Sequence, residues 1–252
     1  MKIDRYSKNI LMSAGEFEAE RKYWTDRLQG EVVSAGLPLS FGRTKSEQYK
    51  KVSKSIVFPD EVSKKFISMS NSSPYALYMI LLSCVNCLIY RYTGIEDITV
   101  GMPEFKQEGK EDIHSRNILP LRINIKNQET FKELLMDVRD AVRYADENKN
   151  LPMEIIEELL NYDPEDISPL FKTVVMLEGI QDKACMEETE SDTLFCFSVE
   201  QELIKLDLSF REDLLKEQFA GQAMAHLVNI AASVASNPDI MLSQMEVLSD
   251  DE

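Results

Sequence analysis

Apolar positions in this chain recur with two periods, and the switches between them mark out its elements. Between Glu16 and Gln29 the large side chains Phe17, Tyr23, Trp24 and Leu28 stand in a charged stretch, which predicts a helix stopped by Gly30. A polar segment punctuated by Gly and Pro follows as far as Lys50. Val52 to Phe58 alternates apolar with polar and predicts a strand, after which Pro59-Asp60 opens a short helix through Met69. Ser73 is placed to cap a helix whose first residue is Pro74, running to Thr93 and ending at Gly94. That helix is apolar almost all round, so it should be buried on most sides.

The second half continues the mixture. Asp97 to Met102 predicts a buried strand, and Glu104 to Asp112 a polar loop. Leu119, Leu121, Ile123 and Ile125 alternate with Pro120, Arg122 and Asn124, the signature of a half-buried strand. Thr130 can cap a helix in which Phe131, Leu134, Leu135, Val138, Val142 and Ala145 form one stripe. Pro152 starts another helix, to Leu160. Thr173 to Leu177, Leu194 to Val199 and Leu203 to Phe210 predict three further strands. A last helix carries Leu215, Phe219, Ala223, Leu227, Ile230 and Val234, and Asn237-Pro238 ends it. Helices and strands mix without strict alternation, which favours an α+β layered sandwich over a Rossmann-type sheet.

Composition narrows the partners. Lys and Arg number 28 against 44 Asp and Glu, a net charge of −16. Nucleic acids and anionic membranes bind through clustered positive charge, so both are excluded as expected partners. A soluble cytoplasmic protein that docks on basic protein patches fits this charge. The acid is densest between Glu178 and Glu202, which suggests a solvated loop. The longest apolar run, Tyr75 to Tyr90, is interrupted by Ser83 and Asn86 and falls short of the ~20 residues a bilayer requires.

Familiar chemistry is scarce. GxGxxG, GxxxxGK[ST] and GxSxG do not occur, removing the simplest nucleotide and hydrolase readings. Cys84 and Cys87 form a CxxC, but inside an apolar helix with no second CxxC and no nearby His, so buried thiols are expected. They and Cys185 and Cys196 suit a reducing compartment. His114 and His226 complete neither an HxxxD nor a metal-ligand set, and each is expected on a surface or helix face.

In order along the chain, however, short motifs accumulate. Tyr23-Trp24 with Leu28 and Leu37-Pro38-Leu39 is similar to a "YW…L…LP" segment, and Tyr90 to Met102 with Pro103 to "RYTGxEDIxVGxP". Asn117-Ile118-Leu119-Pro120-Leu121-Arg122 is similar to "GxFVNTLPLR", Asn148 to Glu154 to "HQxxPFE", and Ile167 to Phe171 to "RDxSxxPLF". Asn237-Pro238-Asp239 through Leu248-Ser249 resembles the lead into an adenylation domain. The chain therefore resembles the C-terminal lobe of a nonribosomal peptide synthetase condensation domain, in the chloramphenicol acetyltransferase-like superfamily. Residues 1–240 correspond to that partial domain and 241–252 to a linker toward an adenylation domain.

The resemblance implies a single α+β lobe with a mixed β-sheet and packed helices. It also implies that the four upstream motifs, HHxxxDG among them, precede this sequence, whose Met1 and acidic exit suggest an N-terminal piece excised from a longer synthetase. The fifth motif is one residue short, with Ile113-His114-Ser115-Arg116 standing for "IGxFV", and the segment between Leu203 and Phe219 is expected to be shortened by a strand. Without HHxxxDG no catalytic residue is expected here. The residues implied for a lobe interface or partner are His114, Asn117, Arg122, Pro152 and Glu154. In the family the Arg at position 122 pairs with the Asp of HHxxxDG. Here Arg122 must be solvated, paired with another acid, or met by a second chain, since an unpaired buried guanidinium costs several kcal/mol. No cofactor is expected, and the phosphopantetheine of a partner carrier protein is the one group implied. The implied role is a non-catalytic platform for an adenylation domain or an upstream subunit. The alternatives are a split enzyme completed by another chain, an acetyltransferase-like enzyme, and a remnant that stabilises its neighbour. The face left by the missing lobe is expected either to have gained charge or to form a homodimer.

Overall fold

A single apolar helix organises this fold, and local chemistry sets both of its ends. Ser73 accepts a hydrogen bond from the Ala76 N–H at 3.4 Å, Pro74 takes the first helical position, and Gly94 closes the helix with φ +66°. The computed structural model describes residues 17–32, 34–42, 49–106, 118–126, 128–160, 170–183 and 191–245. In chain order its elements are α1 (Glu18–Leu28), β1 (Lys51–Val57), α2 (Asp60–Met69), α3 (Pro74–Thr93), β2 (Asp97–Pro103), β3 (Ile118–Asn124), α4 (Phe131–Glu147), α5 (Met153–Leu159), β4 (Thr173–Leu177), β5 (Thr193–Glu200), β6 (Leu203–Arg211) and α6 (Glu217–Ser236). The strands form one six-stranded sheet in the order β1-β6-β5-β4-β2-β3. β4 pairs in parallel with β2 and β5, and the remaining pairings are antiparallel.

One face of the sheet carries α2, α3, α4 and α6, because each of these helices has an apolar side to bury. α3 is the one described helix long and apolar enough to cross a membrane, yet 67% of its apolar window is buried inside the protein. It is a core helix, lying against α4, α6 and β4. α4 begins with a capping box: Thr130 Oγ1 accepts from the Glu133 N–H, and the Glu133 carboxylate accepts from the Thr130 N–H at 2.8 Å. Its predicted stripe is buried apart from Leu135, which is only half-buried. α1 and α5 pack on each other beside the β3 edge, where the lone Trp24 is 1% exposed and its Nε1–H donates to Asn148 O at 2.9 Å.

The other face divides in two. Beneath β2, β4 and β5, Val174, Met176 and Cys196 are covered by Leu170, Phe171 and Ile118 in a small second core. Toward β1 the same face is polar: Ser53 and Ser209 hydroxyls meet at 2.7 Å, and Ser55 and Lys205 both donate to Asp207.

Two expectations change. The acidic run from Glu178 to Glu202 is not one loop, because it contains β5. The polar loop expected from Glu104 starts as a paired segment, with Phe105 bridging Gln181 and the Lys106 N–H donating to Ile180 O at 2.8 Å. The Leu203 to Phe210 alternation forms β6 as predicted, and it joins β5 by a two-residue turn at Gln201 and Glu202. Both turn residues take positive φ, +51° and +64°, which a tight hairpin of this hand requires and Asn-Gly meets with less strain. Replacing them together (Gln201→Asn, Glu202→Gly) should raise stability by about 0.5–1 kcal/mol in chemical denaturation. A loss of stability would show that the turn is not strained.

Candidate functional site

The β2–β3 hairpin places the implied interface arginine. In its antiparallel register Thr99 faces Arg122 and Asp97 faces Asn124, so Asp97 and Arg122 are diagonal neighbours on one face. Their side chains are 28% and 18% exposed, too enclosed for water alone to satisfy the charges. Arg122 Nε donates to the Asp97 carboxylate at 2.9 and 3.1 Å, and Nη2 donates to it at 2.5 Å. This fork-on-carboxylate geometry is the strong form of an ion pair. The Asp97 hydrogen bonds hold the guanidinium still further above its ordinary pKa.

The rest of the guanidinium fastens the chain leaving α1. Nη1 donates to Gln29 O at 2.7 Å and Nη2 to Glu31 O at 3.0 Å. In return, Arg27 donates to the Arg122 carbonyl on the edge strand. Carbonyls freed at the end of α1 are thus met by a strand residue, and an edge-strand carbonyl is met by the helix. From there the chain passes Lys172, where a Cβ on Gly36 would lie 3.0 Å from the Lys172 Cβ, and reaches Leu214, whose carbonyl accepts from the Ser40 N–H at 2.9 Å.

The structure does not gather the other implied residues around Arg122. Pro152 precedes α5 with φ −57° and ψ 144°, and its carbonyl accepts from the Ile155 N–H at 3.0 Å. Glu154 is half-buried in the first turn of α5, where a carboxylate suits the positive end of the helix. His114 and Asn117 lie outside the described residues. His226, expected on a surface or helix face, is buried instead, with Nδ1 2.7 Å from the Tyr92 hydroxyl across α6 and α3.

Several positions of the motif from Tyr90 to Pro103 have scaffold roles. Arg91 Nη1 donates to Ser243 O at 3.1 Å, Tyr92 holds His226, and Thr93 Oγ1 accepts from the Ile95 N–H at 3.1 Å. A Cβ on Gly101 would lie 2.8 Å from both Ile118 and the Phe171 ring, so glycine is required by close packing. Gln181 was not anticipated: its Nε2 donates to Pro103 O at 2.6 Å and its Oε1 accepts from the Leu177 N–H at 2.8 Å. It closes the gap between the ends of β2 and β4. Cys84 and Cys87 are buried, and burial pushes both thiols up, Cys87 to about 12, so neither is a thiolate near neutral pH. Among the described residues no group of three His, Cys, Asp or Glu is arranged to hold a metal ion.

Comparison with known proteins agrees with this geometry. A family model described as Condensation domain matches residues 6–252. A mycosubtilin synthase polypeptide of Bacillus subtilis is 30% identical over 244 residues, 94% of this chain and 9% of that protein. Bacitracin synthase 3 of Bacillus licheniformis is 26% identical over 256 residues, 94% of this chain and 4% of that protein. The chain thus spans only a small fraction of these curated relatives. Among solved structures, the complex of the X-domain and OxyB from teicoplanin biosynthesis superposes with a TM-score of 0.83 at 19% identity, over 97% of this chain and 59% of that one. The condensation domain from Monacolin K polyketide synthase MokA gives 0.71 at 18% identity, over 96% of this chain and 64% of that one.

Removing the carboxylate should release the arginine. Asp97→Ala is expected to lower unfolding free energy by about 1–3 kcal/mol, and Arg122→Ala by a similar amount. The double variant should lose less than the sum of the two, because both remove the same interaction. Strictly additive losses in denaturant titrations would mean the two side chains act independently. A second prediction concerns Gly101→Ala, which should cost about 1–3 kcal/mol through overpacking.

Proposed function

Because this chain belongs to the condensation domain family of nonribosomal peptide synthetases, we propose that it is a non-catalytic lobe that holds synthetase proteins together. The observation that carries this reading is the state of Arg122. In the family that arginine is expected to reach a carboxylate on the opposite lobe, whereas here Asp97, Gln29 and Glu31 of the same chain already take its donors. Arg122 needs no second lobe to have its donors met. Neither histidine within these 252 residues belongs to an HHxxxDG. His226 is committed to Tyr92 inside the core.

Peptide-bond formation needs an amine positioned beside a donor thioester, and in the family a histidine does this between two walls. The lobe formed by these residues supplies one such wall, and it can present surfaces to an adenylation domain, an upstream subunit, or a carrier protein with its phosphopantetheine arm. Such a partner in the cytoplasm suits the large negative charge better than a nucleic acid does.

Calorimetric titration of the full chain against the adjoining adenylation domain and the upstream subunit tests the proposal. Saturable binding to at least one, with no dipeptide formed when carrier-bound substrates are supplied, is the expected result. Binding to neither would remove the platform reading. Dipeptide formation on co-expression with an HHxxxDG-bearing lobe would replace it with a split enzyme.

A further inference from the structure

The segment after α6 closes over the lobe instead of trailing from it. Asn237 Oδ1 accepts from the Asp239 N–H at 3.1 Å, a local turn that brings the backbone to the start of α4. There the Phe131 N–H donates to Ile240 O at 2.9 Å and the Lys132 N–H to Pro238 O at 3.1 Å. Amides in the first turn of a helix find no acceptor within it, so this segment completes α4. Met241 then bridges Thr130, the Leu242 N–H donates to Glu129 O at 3.0 Å, and Leu242–Gln244 forms one turn of 3₁₀ helix. Leu242 is 0% and Met245 1% exposed. On the α3 side Arg91 Nη1 donates to Ser243 O, and Cys87 Sγ lies 3.3 Å from Met245 Sδ. Residues 241–245, expected as the start of a linker, are therefore seated against both helices.

We propose that residues 237–245 form a strap that opens as one unit while the rest of the lobe stays folded, and that opening uncovers Cys87. The strap stands independently of whether the lobe holds a partner. Its hold is local. Pairing with the chain before α4 is one isolated bridge, not a ladder. The polar ties at its rim are open to water: the bond from Arg91 to Ser243 O is exposed, and Lys132 reaches Asp239 only at 3.6 Å, both side chains being mostly exposed. Exposed ties of this kind contribute little. What seats the strap is the burial of Leu242 and Met245 in the core that also holds α3 and α4. A segment anchored by so few buried side chains opens before the whole fold does. While it is seated, burial pushes the Cys87 thiol up to about 12, with Arg91 pulling the other way, so Cys87 is not a nucleophile near neutral pH. Once Met245 lifts, that desolvation falls away and Arg91 remains to favour the thiolate. A contact that draws residues 242–245 off their seat is linked to the open state, and one that packs over Ser243 to the closed state.

The test labels the full chain with N-ethylmaleimide under native conditions and follows Cys87 and Cys196 by peptide mass spectrometry. Cys196 is a matched reference, since it is 2% exposed on the opposite face of the sheet and burial pushes its thiol up to about 12 as well. Cys87 is expected to label faster than Cys196 in the wild type. Met245→Ala, which removes buried packing from the strap, should speed Cys87 by about tenfold or more and leave Cys196 unchanged. Amide hydrogen exchange on the same proteins gives a second readout. The amides of Phe131, Lys132 and Leu242 should quicken together in the variant, while those in the middle of α4 keep their rates. Simple fraying of the α4 end would not respond to Met245. Arg91→Gln removes only a tie at the rim and serves if Met245→Ala folds poorly, with the same three amides as its readout. If Cys87 labels no faster than Cys196 in either protein, the thiol is reached only by global unfolding and the strap is refuted. Amides at Phe131, Lys132 and Leu242 that respond separately would refute it too.

Discussion

A guanidinium on the face of a sheet, only partly open to water, must be met by acceptors wherever the chain can supply them. Much of this lobe's edge is arranged around that requirement at Arg122. Asp97 answers the charge from the neighbouring strand, and two carbonyls after α1 take the remaining donors. The backbone of Arg122 is in turn fastened by Arg27. The consequence reaches beyond one ion pair. The chain after α1 is drawn onto β3, the edge strand is shielded by a helix that packs on α5, and Trp24 is drawn into the core. Isolated ion pairs of this exposure stabilise a fold only modestly, but a pair that also fixes two backbone segments sets their positions.

That dependence explains which features were legible beforehand. Elements decided by short-range rules were placed within a residue or two: α3 by Ser73, Pro74 and Gly94, α4 by Thr130, and β4 by its unbroken apolar run. Features decided by register or by contacts distant in sequence were not. Asp97 lies 25 residues from Arg122, and their adjacency follows only once Thr99 is set opposite Arg122. His226 reaches Tyr92 across 134 residues, and a helical pattern containing one polar position does not reveal whether that position finds a partner inside. The β5–β6 turn was hidden for a different reason: Gln-Glu carries none of the usual Asn or Gly signal, so the strands to either side impose the positive φ values.

The family resemblance holds for the chain, but resemblance alone did not reveal what the motif residues do here. The motif positions between Tyr90 and Pro103 have structural tasks here: Arg91 on the exit segment, Tyr92 on α6, Thr93 and Gly94 at the helix end, and Gly101 under Phe171. A motif can therefore be intact because the scaffold requires it, whether or not chemistry occurs nearby. The two faces of the sheet show the same separation. The face under the helices is closed by large apolar side chains, whereas the outer face has an apolar core where Leu170 and Phe171 cover it and hydroxyls and charge toward β1.

Hydroxyls and the Lys205–Asp207 pair on the uncovered strands reduce the drive to bury that face. Burial would raise Asp207's pKa, but the Ser55 hydroxyl and Lys205 outweigh it and hold the carboxyl below its ordinary value. The charged form is therefore favoured in the folded protein: its stabilisation is present at neutral pH and is lost as acid protonates the carboxylate. A surface satisfied in this way gains little from being buried.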